Sequence, residues 1–147
     1  MNQIVTKQIR IDCGHRVPNH DSKCKNIHGH NYLIELGVYG EVITTQGTPD
    51  EGMVIDFSDL KKVLMEEIDE RFDHNSVFYE KDQMRSHLES LNSYQTKRIQ
   101  FVPFIPTAEN LAKYWFELME PKLVARNIKI HHVTVWETLS STATYQI

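Results

Sequence analysis

Cys24-Lys25-Asn26-Ile27-His28-Gly29-His30-Asn31-Tyr32-Leu33-Ile34-Glu35-Leu36-Gly37-Val38 is the stretch that decides how this chain folds. Side-chain direction along a strand repeats every two residues, so a strand from His28 onward points both histidines to one face. Tyr32, Ile34, Leu36 and Val38 continue that parity, while Leu33, Glu35, Gly37, Tyr39 and Glu41 make a more polar opposite face. A His-x-His pair therefore opens a strand whose own face runs on into a core. Such a pair at the edge of a packed sheet suits a divalent metal.

Working outward, Ile4 to Cys13 reads as a strand, with Val5, Ile9, Ile11, Cys13 and then His15 on one parity, interrupted by Lys7. Gly14 allows a bend there. Arg16 to Lys23 is a loop, the second strand reaches about Val42, and Thr44 to Gly52 is a polar loop. A helix begins near Asp56 to Ser58, either of which can cap free N–H groups, and carries Leu60, Val63, Leu64, Ile68 and Phe72 as one apolar stripe. Residues 76 to about 103 show no clear period; Tyr79 to His87 is polar and compatible with a helix, and Ile99 to Val102 is a short apolar patch. Thr107 caps a second helix, which Pro121 closes. Two strands follow, Ile128 to Thr138 and Thr142 to Ile147. In the first, Val133, Val135 and Glu137 share one face, and Ile130, His132, Thr134 and Trp136 the other. The expectation is one α+β domain over residues 1–147: an antiparallel four-stranded sheet with two helices on one face.

A chain of 147 residues, 40% hydrophobic and 24% charged, is long enough to bury a real core. No apolar run is long enough to cross a bilayer, and Met1 to Lys7 lacks the basic-then-apolar pattern of an export signal, so no membrane association and a cytoplasmic setting are expected. Two cysteines, Cys13 and Cys24, cannot supply a disulfide framework, and in a reducing cytosol both are thiols. Sixteen basic and twenty acidic residues leave a formal charge of −4, which argues against nucleic acid as a partner.

His28 and His30 offer two imidazoles and His15 a third from the neighbouring strand. Three neutral histidines with a vacant position make a catalytic kind of zinc site; otherwise these are ordinary surface or core histidines. Cys24, flanked by Lys23 and Lys25, can act as a thiolate base or nucleophile, or be an inert thiol. Cys13, inside a strand pattern, suits the inert role better. Asp73-His74 follows the first helix directly. The carboxylate can hold the imidazole in one tautomer for proton transfer, or the histidine can simply favour the helix dipole. Glu137 shares the parity of Val133 and Val135, where a carboxylate needs hydrogen-bond donors unless it reaches solvent. Glu109 can likewise serve only the first turn of its helix.

Taken together, the chain resembles the 6-pyruvoyltetrahydropterin synthase family, and most closely its 6-carboxytetrahydropterin synthase branch in queuosine biosynthesis. The resemblance rests on Gly14-His15-Arg16, Cys24-x-x-x-His28-Gly29-His30-Asn31-Tyr32, Gly52 to Lys61, Phe72-Asp73-His74-Asn75, Pro106 to Ala112 and Val135-Trp136-Glu137-Thr138. It implies the T-fold, with subunits closing a barrel as a homo-oligomer, hexameric in the family, and active sites between subunits. It implies Zn2+ on His15, His28 and His30, catalysis by Cys24, Asp73 and His74, and a pterin ring anchored by Glu137 beside Thr107 and Glu109. The implied substrate is 7,8-dihydroneopterin triphosphate, with acetaldehyde and triphosphate released. Three residues between Cys24 and His28 match the carboxy type. The pyruvoyl type, which only eliminates triphosphate, and a non-catalytic T-fold module binding pterin or zinc are the alternatives. Departures are Phe72 in place of the usual Leu, the Ser76-Val77-Phe78 continuation, and a longer, more polar Tyr79 to Val102 segment. Arg16, Lys23 and Lys25 are nearby positive charges with no assigned phosphate.

Overall fold

A computed structural model describes residues 2–147. Its frame is a long antiparallel pair, β1 (Asn2–His15) and β2 (His28–Glu41), joined through a loop and a one-turn 3-10 helix at Lys23–Lys25. Then come α1 (Phe57–Leu64), a π-helical turn at Met65–Asp69, α2 (Glu70–Phe72) and β3 (Asn75–Tyr79). The next segment forms α3 (Arg85–Ser90), a 3-10 turn at Leu91–Tyr94 and β4 (Gln100–Val102). The chain ends with α4 (Ala108–Val124), β5 (Lys129–Trp136) and β6 (Thr142–Gln146).

Among the described residues, six strands make one sheet in the order β4-β3-β1-β2-β5-β6, not the four expected. The four expected strands are all present and pair antiparallel. The additions are β3 and β4, five and three residues long, which pair parallel to β1 and to each other, so the sheet is mixed. Both come from the stretch without a readable period, because strands this short show too few alternations to register.

The helix starts follow the sequence. Asp56 accepts from the Ser58 N–H at 2.7 Å, and Thr107 from the Asn110 N–H at 3.3 Å. Each side chain satisfies a main-chain donor that a first helical turn leaves free. Pro121 does not close α4, which runs on to Val124 with the proline inside. The core lies between the sheet and the long helices. Trp115, fully buried, meets Tyr32 edge-on at 6.1 Å and Phe72 at 5.6 Å. The β1/β2 register sets His15 opposite His28 and Cys13 opposite His30, so both expected parities hold where the metal reading needs them.

One parity fails. Leu36 pairs with Val133 and Gly37 with His132, but Val38 pairs with Ile130, leaving His131 as an extra residue. This β-bulge turns Ile130, 2% exposed, into the core with Val133 and Val135, away from the face it was expected to share with His132.

Candidate metal centre and adjoining acid–base pair

His15 leaves the end of β1, and His28 and His30 open β2 on the same face. Their nitrogens form a group whose members all lie within 4.8 Å of one another. His15 Nδ1 lies 2.8 Å from the Pro106 carbonyl and His28 Nδ1 lies 2.7 Å from the Asn26 carbonyl. A carbonyl only accepts, so both Nδ1 atoms carry the proton and both Nε2 atoms present lone pairs. Those two Nε2 atoms face each other at 3.1 Å. Among the described residues, the Nε2 of His30 is buried without a hydrogen-bond partner. Facing lone pairs repel, and a cation between them removes the conflict. The donor set therefore fits a divalent metal held by three imidazoles, each of the first two oriented by a carbonyl behind it. Burial lowers the pKa of His15 and of His30 below 6.5, which keeps the rings neutral as ligation requires.

Glu137 joins this group. Its Oε1 is 3.4 Å from His30 Nε2, a close contact without hydrogen-bond alignment. Glu137 is also among the residues lining a cavity of about 430 Å³ with Leu139 and with Arg10, Asn31, Leu33 and Trp136, which come from the strand parity opposite to His30. Thr107 caps α4 one residue after the carbonyl that orients His15, whereas Glu109 is exposed in the first turn of that helix.

Cys24 sits half-buried on the one-turn helix ahead of His28, and its carbonyl accepts from the Val17 N–H at 2.8 Å. Both cysteines are free thiols. Burial pushes the Cys13 thiol up to about 12, so it stays neutral near pH 7, in keeping with the inert role.

Asp73 and His74 form a second group with Asp12. His74 Nδ1 donates to Asp73 Oδ2 at 2.8 Å, and Asp73 Oδ1 accepts from the Asp12 N–H at 2.9 Å. The His74 N–H closes the corner on the Asp12 carbonyl at 2.7 Å. Burial alone would raise the Asp73 carboxyl, but the Asp12 N–H, His74 and the Lys97 charge together hold it below 3.8. The hydrogen bond and charge of Asp73 raise His74 above 6.5. This corner lies on the Asp12 side of β1, while the three clustered histidines share the Cys13 side, so the structure does not merge the two groups within one chain. Sequence reasoning missed Asp12, Pro106 and Asn26. The last two act through main-chain oxygens, which leave no mark on residue type.

The sequence matches the family described as 6-pyruvoyl tetrahydropterin synthase over residues 4–147. The chain belongs to that family. It is thereby an enzyme, and similar curated proteins agree. A 6-carboxy-5,6,7,8-tetrahydropterin synthase of Rickettsia felis is 35% identical over 90% of this chain and 92% of its own length. One from Haemophilus influenzae is 30% identical over 97% of both. The solved 6-pyruvoyl tetrahydropterin synthase of Caenorhabditis elegans, 24% identical, superposes with a TM-score of 0.70 over 100% of this chain and 96% of its own, a likeness of fold.

Proposed function

We propose that this enzyme is a zinc-dependent lyase that converts 7,8-dihydroneopterin triphosphate to 6-carboxytetrahydropterin, releasing acetaldehyde and triphosphate, in a queuosine-type pathway of the cytoplasm. The observation that carries it is the convergence of three imidazole nitrogens, with an orphaned Nε2 among them, beside the Glu137 carboxylate. The curated relatives at 30–35% identity and the three-residue gap between Cys24 and His28 favour the carboxy product.

His15, His28 and His30 would hold the metal. Bound there, zinc would act as a Lewis acid toward the hydroxyl oxygens of the substrate side chain. Cys24, as thiolate, takes a proton from the side-chain carbon beside those oxygens. His74, oriented and kept basic by Asp73, moves protons on the opposite face. Glu137, whose carboxylate lies beside His30, accepts from adjacent N–H groups of the pterin ring. Thr107 and Glu109 stand in the helix-opening motif nearby.

A single T-fold domain that assembles into a hexameric barrel fits two sheet edges. Among the described residues, β6 has no strand beyond it in the sheet order, and β3 pairs with β1 only at Cys13 and Gly14, leaving the longer N-terminal part of β1 open on that side. Complementary open edges on one chain allow head-to-tail closure into a ring. Such closure would bring one subunit's Asp73-His74 corner toward another's metal group.

Incubating the zinc-loaded protein with dihydroneopterin triphosphate tests the reading. Acetaldehyde and 6-carboxytetrahydropterin are the expected products. Pyruvoyltetrahydropterin without acetaldehyde would assign the pyruvoyl reaction instead, and no turnover would leave a binding module. Replacing Cys24 by Ala is expected to abolish turnover and leave zinc content unchanged; loss of metal in that variant contradicts the role given to the thiol.

A further inference from the structure

The turn that carries Cys24 has little of its own to hold it. Lys23–Lys25 buries no residue, and Ser22 makes no side-chain cap. With no apolar anchor, its position depends on polar contacts. Three successive carbonyls supply them. The Cys24 carbonyl accepts from the Val17 N–H at 2.8 Å, the Lys25 carbonyl from Arg16 Nη1 at 3.2 Å, and the Asn26 carbonyl from His28 Nδ1 at 2.7 Å. Two of those donors directly follow the ligand His15, and the third is itself a ligand histidine. The cysteine turn is therefore tied at three consecutive residues to the segment following His15 and to His28 itself.

The middle contact is the one made by a non-ligand side chain, and that side chain is itself fixed from a distant part of the chain. Arg16 Nε meets Asp82 Oδ2 at 2.7 Å, with the two side chains 5% and 0% exposed. Asp82 is locked in turn, because its Oδ1 accepts from the Met84 N–H at 2.8 Å. Arg16 Nη1 also lies 3.1 Å from Met84 Sδ. A buried guanidinium is costly unless it is paired, so the pair has a definite geometry rather than a loose surface one. Asp82 comes from the polar segment after β3, to which the proposed function gives no task.

We propose that Arg16, held by Asp82, is a positioning residue for Cys24: through the Lys25 carbonyl it fixes the main chain of the turn that carries the thiol. The proposal rests on the reading of Cys24 as the proton acceptor. A displacement of about 1 Å at a reacting group costs about a hundredfold in rate, so a freed turn lowers turnover while substrate binding stays.

Asp82→Asn is expected to lower kcat about ten- to hundredfold with KM within about twofold, at unchanged zinc content. Breaking a buried pair also destabilises, so a second variant separates the two effects. Arg16→Met with Asp82→Leu removes both charges and is expected to recover the melting temperature, yet kcat stays low because the Lys25 carbonyl has now lost its donor. Recovery of kcat together with stability would reduce the pair to a structural role and overturn the proposal. Alkylation of Cys24 by iodoacetamide, followed by mass in zinc-loaded protein, gives a readout without turnover. It is expected to accelerate in both variants, and an unchanged rate in both overturns the proposal. If Cys24→Ala retains full activity, the reading of Cys24 falls, while the alkylation rates still decide whether Arg16 positions the turn.

Discussion

His74 holds a left-handed backbone conformation, φ 56°, which costs a non-glycine residue roughly 1–2 kcal/mol. Its N–H on the Asp12 carbonyl and its ring on Asp73 offset that cost. The raised pKa of His74 follows from the Asp73 hydrogen bond and charge, so Asp73→Asn is expected to bring the His74 titration down toward 6.5. Histidine ring NMR across pH reads this directly, and an unmoved titration would discard Asp73 as the cause. The signs for stability are opposite in the two residues. The His74 contribution is present below 6.5 and is lost as pH rises through its raised value. The Asp73 contribution is present above 3.8 and is lost as pH falls through its lowered value. At this scale the grouping of His28 and His30 was legible, because strand alternation alone sets the two on one face. The tautomers were not, since the deciding partners are the carbonyls of Pro106 and Asn26. Glu137 was legible as a carboxylate on an apolar face, but its approach to His30 depends on the β2/β5 pairing, which no single strand reveals.

Among the elements, β5 shows how a local irregularity overrides pattern. Next to the bulge, the His132 ring lies over its cross-strand partner Gly37, where an added Cβ would collide with the ring. His132 cannot swing away freely, because Nε2 meets Glu35 Oε2 at 2.7 Å and Nδ1 meets His131 Nδ1 at 2.8 Å. Gly37→Ala is therefore expected to destabilise by about 1–3 kcal/mol, an overpacking cost measurable by urea denaturation. A neutral effect would show that the ring relocates at no expense. Alternation in the sequence assigned Ile130 to the wrong face, because one extra residue inverts parity on its far side. The helix starts at Asp56 and Thr107 were legible for the opposite reason: a cap is a local hydrogen bond and needs no distant partner. β3 and β4 were illegible because their pairing is parallel and their lengths are five and three residues.

For the whole molecule, the helices cover one face of a sheet that ends in an open strand, and the long β1 is paired on one side over most of its length. The expected outcome in sedimentation velocity is an assembly several times the 17.2 kDa of one chain. A monomer at micromolar concentration would leave both edges free and remove the barrel. The α+β layering was legible from the order of strand-like and helix-like periods, but a chain's own sequence carries no period for what lies across an edge. The Pro106 carbonyl that orients His15 belongs to the stretch leading into α4, so the docking of that helix is coupled directly to an imidazole of the metal group. With cobalt loaded into the three-histidine group, the visible absorption of the ion would become a gauge of that docking, shifting colour when the helix tilts even though no side chain around it has changed.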